Sequence, residues 1–393
     1  MRVIIAGNGL AGTMVAKTVR ELDSSAEIKI FSEESYHYYP RPNMIDFLSG
    51  LLPLEKVFAF PSDWVVRQKI ELNLNRRLLK LELEKQQVVL DGEENIPFDY
   101  LVLATGSVPF APPVKGLGKS GVFYFRTLDD ALNLIDYLQF RPEVVILGGG
   151  LLGLEIAKAL RTRGLEKVTV VEVYDRLLPR QLDPEAASLL RRKLEEAGIN
   201  FMLGRMVEEI IGDGSVSGVR FQDGEIKPAG VVIIASGVRP RAELAAESGL
   251  KINRGIVVDD YLKTSHPRVL AAGDVAEHRG KVYGLIPAAF EQARVLAYNL
   301  CGQVKRYEGT ISSSTLKVAG VYVTSIGLVI PEGDEFEILV KREDEAGIYK
   351  RLVLKKNVCV GAIWMGTKKN VQEVARLIQS GLDISHFKKD ILE

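Results

Sequence analysis

Thiols are scarce in this chain: its 393 residues include two cysteines, Cys301 and Cys359, far apart in sequence. That excludes a disulfide framework and any C-x-x-C pairing for metal binding or redox exchange. Both cysteines read most simply as small buried hydrophobes, and a reducing, cytoplasmic setting is expected. Histidine is nearly as rare. His37, His266, His278 and His386 show no H-x-x-x-H spacing, so no metal site is expected. Net charge is missing too: 51 basic against 51 acidic residues offer nothing to favour nucleic acid or an anionic membrane. No apolar run approaches the roughly 18 residues of a membrane-spanning helix. The N-terminus enters a strand at once, so a signal peptide is not expected. What is present, 47% hydrophobic and 26% charged residues, is ordinary for a globular protein with room for two or three domains.

The first thirty-four residues organise the rest. Val3-Ile4-Ile5-Ala6 reads as a buried strand running into Gly7-Asn8-Gly9-Leu10-Ala11-Gly12. A helical pattern follows (Val15, Ala16, Val19, Leu22), then a second strand, Ile28 to Phe31, closing on Glu33-Glu34. This is a βαβ unit with a G-x-G-x-x-G turn and an acid about 20 residues later. Gly7 permits the tight turn, Gly9 lets backbone approach a pyrophosphate, and Gly12 lets helix and strand pack closely. The helix N-terminus offers N–H groups and a positive dipole end to phosphate. The acid can accept both ribose hydroxyls of an adenosine. The unit recurs: Val144 to Leu147 leads into Gly148-Gly149-Gly150-Leu151-Leu152-Gly153, and Val168 to Val171 ends on Glu172. Two fingerprints mean two dinucleotides, one held and one visiting.

Between and after these units the chain offers further elements. Tyr36 to Asn43 is aromatic and proline-rich, too irregular for a regular element and suited to covering a flat ring. Residues 64 to 100 suggest a small antiparallel sheet turning at Asp91-Gly92. A buried strand ends in Ala104-Thr105-Gly106, and Pro109, Pro112 and Pro113 mark a boundary. Asp129-Asp130-Ala131 opens one helix and Pro184 another, with Arg191, Arg192 and Lys193 on its solvated side. Val231 to Gly237 echoes the Leu101–Gly106 stretch. Leu270 to Asp274 places an acid at the C-terminal edge of a strand, where ligands of open parallel sheets sit. Pro287 starts a long helix whose N-terminus suits a polarised ring oxygen. From Thr310 on, strands are expected at 315–323, 336–340, 349–354 and 358–364, with a last helix from Asn370 to Leu377.

In this order, Gly7-x-Gly9-x-x-Gly12, Ala104-Thr105-Gly106, Gly148-x-Gly150-x-x-Gly153 and Gly273-Asp274 resemble the two-dinucleotide-binding flavoproteins built like glutathione reductase. The resemblance covers essentially the whole chain. It implies an α/β fold with two Rossmann-like domains and a C-terminal α+β domain. The FAD-binding domain would be discontinuous, 1–112 with 236–308; the NAD-binding domain would be 113–235 and the interface domain 309–393. FAD would lie on Gly7, Gly9, Leu10, Ala11 and Gly12, with Glu33 on its adenosine ribose. Ala104, Thr105, Gly106, Gly237, Gly273, Asp274 and Pro287 would line it, Asp274 on the ribityl chain. NADH would lie on Gly148, Gly150, Leu151, Leu152 and Gly153, with Glu172 on its ribose. An acid there repels a 2′-phosphate, so NADPH is less favoured, although Arg176 follows at some distance.

The subgroup is set by what is missing. Dithiol members need two cysteines about four residues apart after the first acid, and this stretch has none. NADH peroxidases and water-forming oxidases need one cysteine there and a histidine in the first turn; the chain has Asn43, Met44, Ser49 and Leu10 instead. The thiol-free relatives remain. Tyr39-Pro40-Arg41-Pro42 resembles their loop beside the flavin, and Glu155 resembles a glutamate near the nicotinamide, which assigns Arg41, Pro42 and Glu155 to the catalytic region. Where many relatives carry a lysine paired with that glutamate, this chain has Asp46. Leu316-Lys317-Val318-Ala319-Gly320 and Ser325-Ile326-Gly327 resemble the third domain of rubredoxin reductases and of the flavin segment of nitrite reductase. Nitrite reductase itself is not expected, since no cysteines are left for its metal centres. The implied acceptor is a small electron carrier, rubredoxin or else ferredoxin, docking on basic residues such as Lys317, Lys368 and Lys369. A monomer or homodimer is expected, with no nucleic acid and no membrane. Three alternatives stay open: an NADH oxidase producing peroxide, a redox sensor, and the flavin subunit of a larger complex.

Overall fold

A computed structural model describes residues 1–139, 143–318, 320–344, 346–388 and 390–393. The chain divides into two compact units. One comprises Met1–Met44, Pro53–Val108 and Val238–Thr310; the other comprises Ile45–Leu52, Pro109–Gly237 and Ile311–Glu393.

The first unit is built on a five-stranded parallel sheet ordered Val269–Ala271, Tyr100–Leu103, Arg2–Ala6, Glu27–Phe31, Glu71–Asn73. Its central strand is wholly apolar from Val3 to Ala6, as a strand covered on both faces requires, and these four residues are at most 3% exposed. The helix Leu10–Leu22 starts directly after the glycine turn and packs Met14, Val15, Ala16 and Val19 inward. The expected antiparallel sheet is present as Leu78–Glu82, Gln87–Leu90 and Asn95–Pro97. Its expected start is corrected: Trp64–Arg67 is a helical turn, and Glu71–Asn73 joins the parallel sheet instead.

A second correction concerns the aromatic loop. Arg41–Ser49 is a helix, so Arg41, Pro42 and Asn43 form its first turn rather than irregular chain. Proline is tolerated there, because the first N–H groups of a helix have no intrahelical partner.

The second unit repeats the design. Asn200–Leu203, Lys167–Glu172, Glu143–Leu147, Val231–Ile234 and Val122–Tyr124 form a parallel sheet in that order. The helix Leu128–Leu138 is opened by a reciprocal capping box between Thr127 and Asp130. Residues from 313 on form an antiparallel sheet ordered Ser313–Val318, Val321–Gly327, Val358–Met365, Ile348–Lys355, Phe336–Glu343. The helix Val371–Ser380 covers its core through Val374 and Leu377. The single strand expected over 315–323 is instead a hairpin, with Val318 opposite Val321 and Gly320 at φ +76°. Ala319, part of that motif, lies outside the described residues.

Candidate functional site

Each glycine fingerprint is built the same way. An ideal Cβ on Gly7 would lie 2.2 Å from the Ala104 carbonyl oxygen, and one on Gly12 would lie 2.0 Å from that of Gly7. On Gly148 it would lie 2.4 Å from the Ala235 oxygen, and on Gly153 2.0 Å from that of Gly148. These are backbone atoms that cannot swing aside. The middle glycines differ: a Cβ on Gly9 or Gly150 would meet nothing within 4 Å. The outer glycines close the turn and the middle one faces open space at a helix N-terminus. Gly9 and Gly150 are the N-cap residues of Leu10–Leu22 and Leu151–Thr162, and neither cap is satisfied by a side chain. Two cradles whose first helical N–H groups have no side-chain cap among the described residues, and with no Cβ in the way, fit two pyrophosphates.

The acids that follow are held by different devices. Glu172 is 8% exposed, and its carboxylate accepts from the Gly149 N–H at 2.7 Å and the Tyr174 N–H at 3.1 Å. It is the last residue of its strand, whereas the first copy has Ser32 in that register and Glu33 one residue later. Glu33 is gripped by arginines, Arg241 at 2.8 Å through both carboxylate oxygens and Arg77 at 3.2 Å. Arg241 lies 208 positions away and was invisible to sequence reasoning. Glu34 accepts from the Tyr39 hydroxyl and from Arg41 at 3.0 Å, so the Tyr39–Arg41 loop is tied to the acidic pair. Burial pushes the Tyr39 phenol up to about 12, which keeps it neutral.

Other expected residues converge within the first unit. Thr105 donates to the Arg241 carbonyl at 2.8 Å, and the Arg241 N–H donates to Gly106 at 3.0 Å. Asp274 accepts from the Ser107 hydroxyl at 2.8 Å. The fully buried Gln292 accepts the Gly273 N–H at 2.8 Å, fixing that turn to the helix Ile286–Leu300, whose first turn carries Pro287. Gly237 sits at φ +105° in the second unit and accepts from Phe110 N–H at 2.9 Å.

Glu155 projects from the helix Leu151–Thr162. Burial raises its carboxyl to about 6; Lys158 opposes that rise and Asp46 adds to it. Asp46 is thus an acid that disfavours ionisation of Glu155. Because the folded-state value lies above the ordinary 4.5, the contribution to stability is full below pH 4.5 and is lost as pH rises through about 6. Glu155→Gln is expected to remove this slope. Melting temperatures of the two proteins across that pH window test it, and identical slopes would contradict it.

Of the basic docking candidates, Lys317 and Lys368 both stand over the Tyr322 ring, at 5.5 Å and 4.0 Å. Lys369 is engaged elsewhere, bonding a Glu393 oxygen at 3.0 Å. Among the described residues no helix is long and apolar enough to cross a membrane.

Residues 1–293 match the family model described as pyridine nucleotide-disulphide oxidoreductase, and residues 313–382 match the rubredoxin NAD+ reductase C-terminal domain. The chain belongs to the pyridine nucleotide-disulphide oxidoreductase family. It is 38% identical over 390 residues to the nitrite reductase [NAD(P)H] of Bacillus subtilis, covering 99% of this chain and 48% of the relative. It is 31% identical over 361 residues to the rubredoxin-NAD(+) reductase of Pseudomonas putida, covering 88% of this chain and 94% of that one. The NADH:rubredoxin oxidoreductase of Clostridium acetobutylicum superposes with a TM-score of 0.84 at 26% identity, covering 100% of this chain and 98% of that one. The chain spans about half the length of the nitrite reductase it matches, 48%. The family description names an oxidoreductase that works with a pyridine nucleotide.

Proposed function

We propose that this chain takes electrons from NADH, through FAD on the first fingerprint, to a small one-electron carrier protein, with rubredoxin as the first choice. Together the two cofactors supply a hydride transfer to flavin followed by release of single electrons. The residues bind and orient them. Gly9 and Gly150 admit the pyrophosphates to the helix N-termini, while Glu33 and Glu172 accept ribose hydroxyls. Asp274 holds the ribityl chain. Arg41 and Pro42 support the flavin ring and Glu155 the nicotinamide. The backbone-anchored Glu172 carboxylate opposes a 2′-phosphate and favours NADH over NADPH. The same reading gives residues 1–112 and 236–308 to FAD, 113–235 to NADH and 309–393 to an interface.

The observation that carries the choice of acceptor is the absence of a thiol pair. Cys301 and Cys359 belong to different units, and Cys359 is buried, with its thiol raised to about 11 by burial. Electrons have no disulfide to enter and leave from the flavin itself. The match of residues 313–382 to a rubredoxin reductase domain supports the same acceptor. NADH consumption by the purified protein, measured anaerobically with oxidised rubredoxin and then in air, tests the proposal. A much faster anaerobic rate with rubredoxin is expected. A faster rate in air, unchanged by rubredoxin, would replace it with peroxide-forming oxidase activity.

A further inference from the structure

The two ribose acids face the same task with different support. Glu172 is buried and receives two backbone N–H groups, so its position is set by the fold of its own strand. Glu33 has a partly exposed side chain (38%) on a loop past its strand, and no backbone donor to its carboxylate is among the described hydrogen bonds. A carboxylate in that setting would sample several rotamers, and ribose would have to order it on binding. Arg241 removes that freedom. Its guanidinium forks onto both Glu33 oxygens at 2.8 Å, and Arg77 adds a contact at 3.2 Å to one of them.

The Arg241 backbone is itself held in place. Its N–H is bonded to the Gly106 carbonyl at 3.0 Å and its carbonyl receives the Thr105 hydroxyl at 2.8 Å. One residue therefore joins the two stretches that sequence assigns to the same dinucleotide, Glu33 and Thr105-Gly106. It comes from the segment by which the chain re-enters this unit at Val238. The two arginines converge on Oε1, while Oε2 meets Arg241 alone and keeps a lone pair for a ribose hydroxyl, so the clamp and the ligand need not compete.

We propose that Arg241 is a positioning residue for the adenosine end of FAD, acting through Glu33 and assisted by Arg77. This rests on the reading that the first fingerprint holds FAD. It assigns the retention of the resident dinucleotide to an arginine clamp that has no counterpart among the described contacts of Glu172.

The test follows FAD release from the holoprotein on dilution, by flavin fluorescence, for wild type, Arg241→Ala, Arg241→Lys, Glu33→Gln and the Arg241→Ala/Glu33→Gln double variant. Arg241→Ala is expected to weaken FAD retention about tenfold to a hundredfold, the scale of a lost charge-assisted hydrogen bond. Arg241→Lys should recover part of that loss, since it keeps the charge without the fork. The KM for NADH should stay within about twofold, because Glu172 has its own anchors. In the Glu33→Gln background the arginine substitution should add little. Additive losses would overturn the proposal by showing that Arg241 acts independently of Glu33. An Arg241→Ala protein that keeps FAD while Glu33→Gln loses it would overturn the clamp but leave the ribose reading standing. Unchanged FAD retention in both would overturn both. A parallel rise in the KM for NADH would also overturn the clamp, as it would show a general loss of structure.

Discussion

Gly150→Val is expected to abolish reduction by NADH while the protein stays folded and keeps its flavin. Gly150 has φ −80° and ψ −177°, extended backbone that any residue adopts, and a Cβ there meets nothing within 4 Å. The substitution therefore strains nothing in the fold. Its methyl groups occupy the space through which a pyrophosphate must approach the helix N-terminus, and a displacement of about 1 Å is enough to cost on the order of a hundredfold in rate. Gly9→Val is expected to do the converse, leaving a folded protein that does not hold FAD, since Gly9 has the same open surroundings. Gly12→Val and Gly153→Val serve as contrasts. Their Cβ atoms would sit 2.0 Å from carbonyl oxygens, so these variants should fail to fold. Absorbance of the flavin band before and after anaerobic NADH reads both outcomes. Reduction of the Gly150→Val protein at a rate near wild type would contradict the assignment of NADH to the second fingerprint.

A large stability effect is also expected outside either cradle. Asp183 is 5% exposed and serves three partners. One oxygen caps the helix Pro184–Glu196 by accepting the Ala186 N–H at 3.0 Å. The other accepts from the Tyr349 hydroxyl at 2.5 Å and from the Arg351 guanidinium. Tyr349 is 1% exposed, and burial raises its phenol well above the ordinary value, with the Asp183 charge adding to it. Asp183→Ala removes the cap and leaves Arg351 charged and largely buried without a counter-ion. Removing one partner of a buried pair costs about 3–5 kcal/mol. An Asp183→Leu/Arg351→Met/Tyr349→Phe protein should recover much of that loss, because a packed apolar cluster leaves neither a buried charge nor the Tyr349 hydroxyl unpaired. Denaturant unfolding of the three proteins decides it. A change in Asp183→Ala of less than about 1 kcal/mol, an ordinary cap effect, would contradict the account.

What the sequence made legible was whatever depends on local pattern. Buried strands such as Val3–Ala6 and Val144–Leu147 are apolar runs ended by glycines, and their βαβ context is continuous in the chain. Turn chemistry was partly missed. Thr315–Val323 alternates like one strand, but Gly320 breaks it into a hairpin, and the aromatic loop hid a helix start at Arg41-Pro42. Contacts closed by the fold left no trace in the sequence. Nothing local marks Arg241 as the partner of Glu33, Gln292 as the support of Gly273, or Asp183 as the seat of Tyr349 and Arg351. Asp46 could be flagged as a departure from the relatives' lysine. Its bearing on the Glu155 carboxyl emerged only when the helices Arg41–Ser49 and Leu151–Thr162 were seen linked, Arg163 bonding the Leu48 carbonyl at 2.5 Å.

The central claim is that, within these 393 residues, a thiol-free flavin alone takes the electrons that NADH delivers. Anaerobic titration of the purified protein with NADH tests it directly, with the flavin band followed to completion. The account predicts one FAD per chain, fully reduced by one equivalent of NADH. A requirement for two equivalents would reveal a second two-electron centre and contradict it.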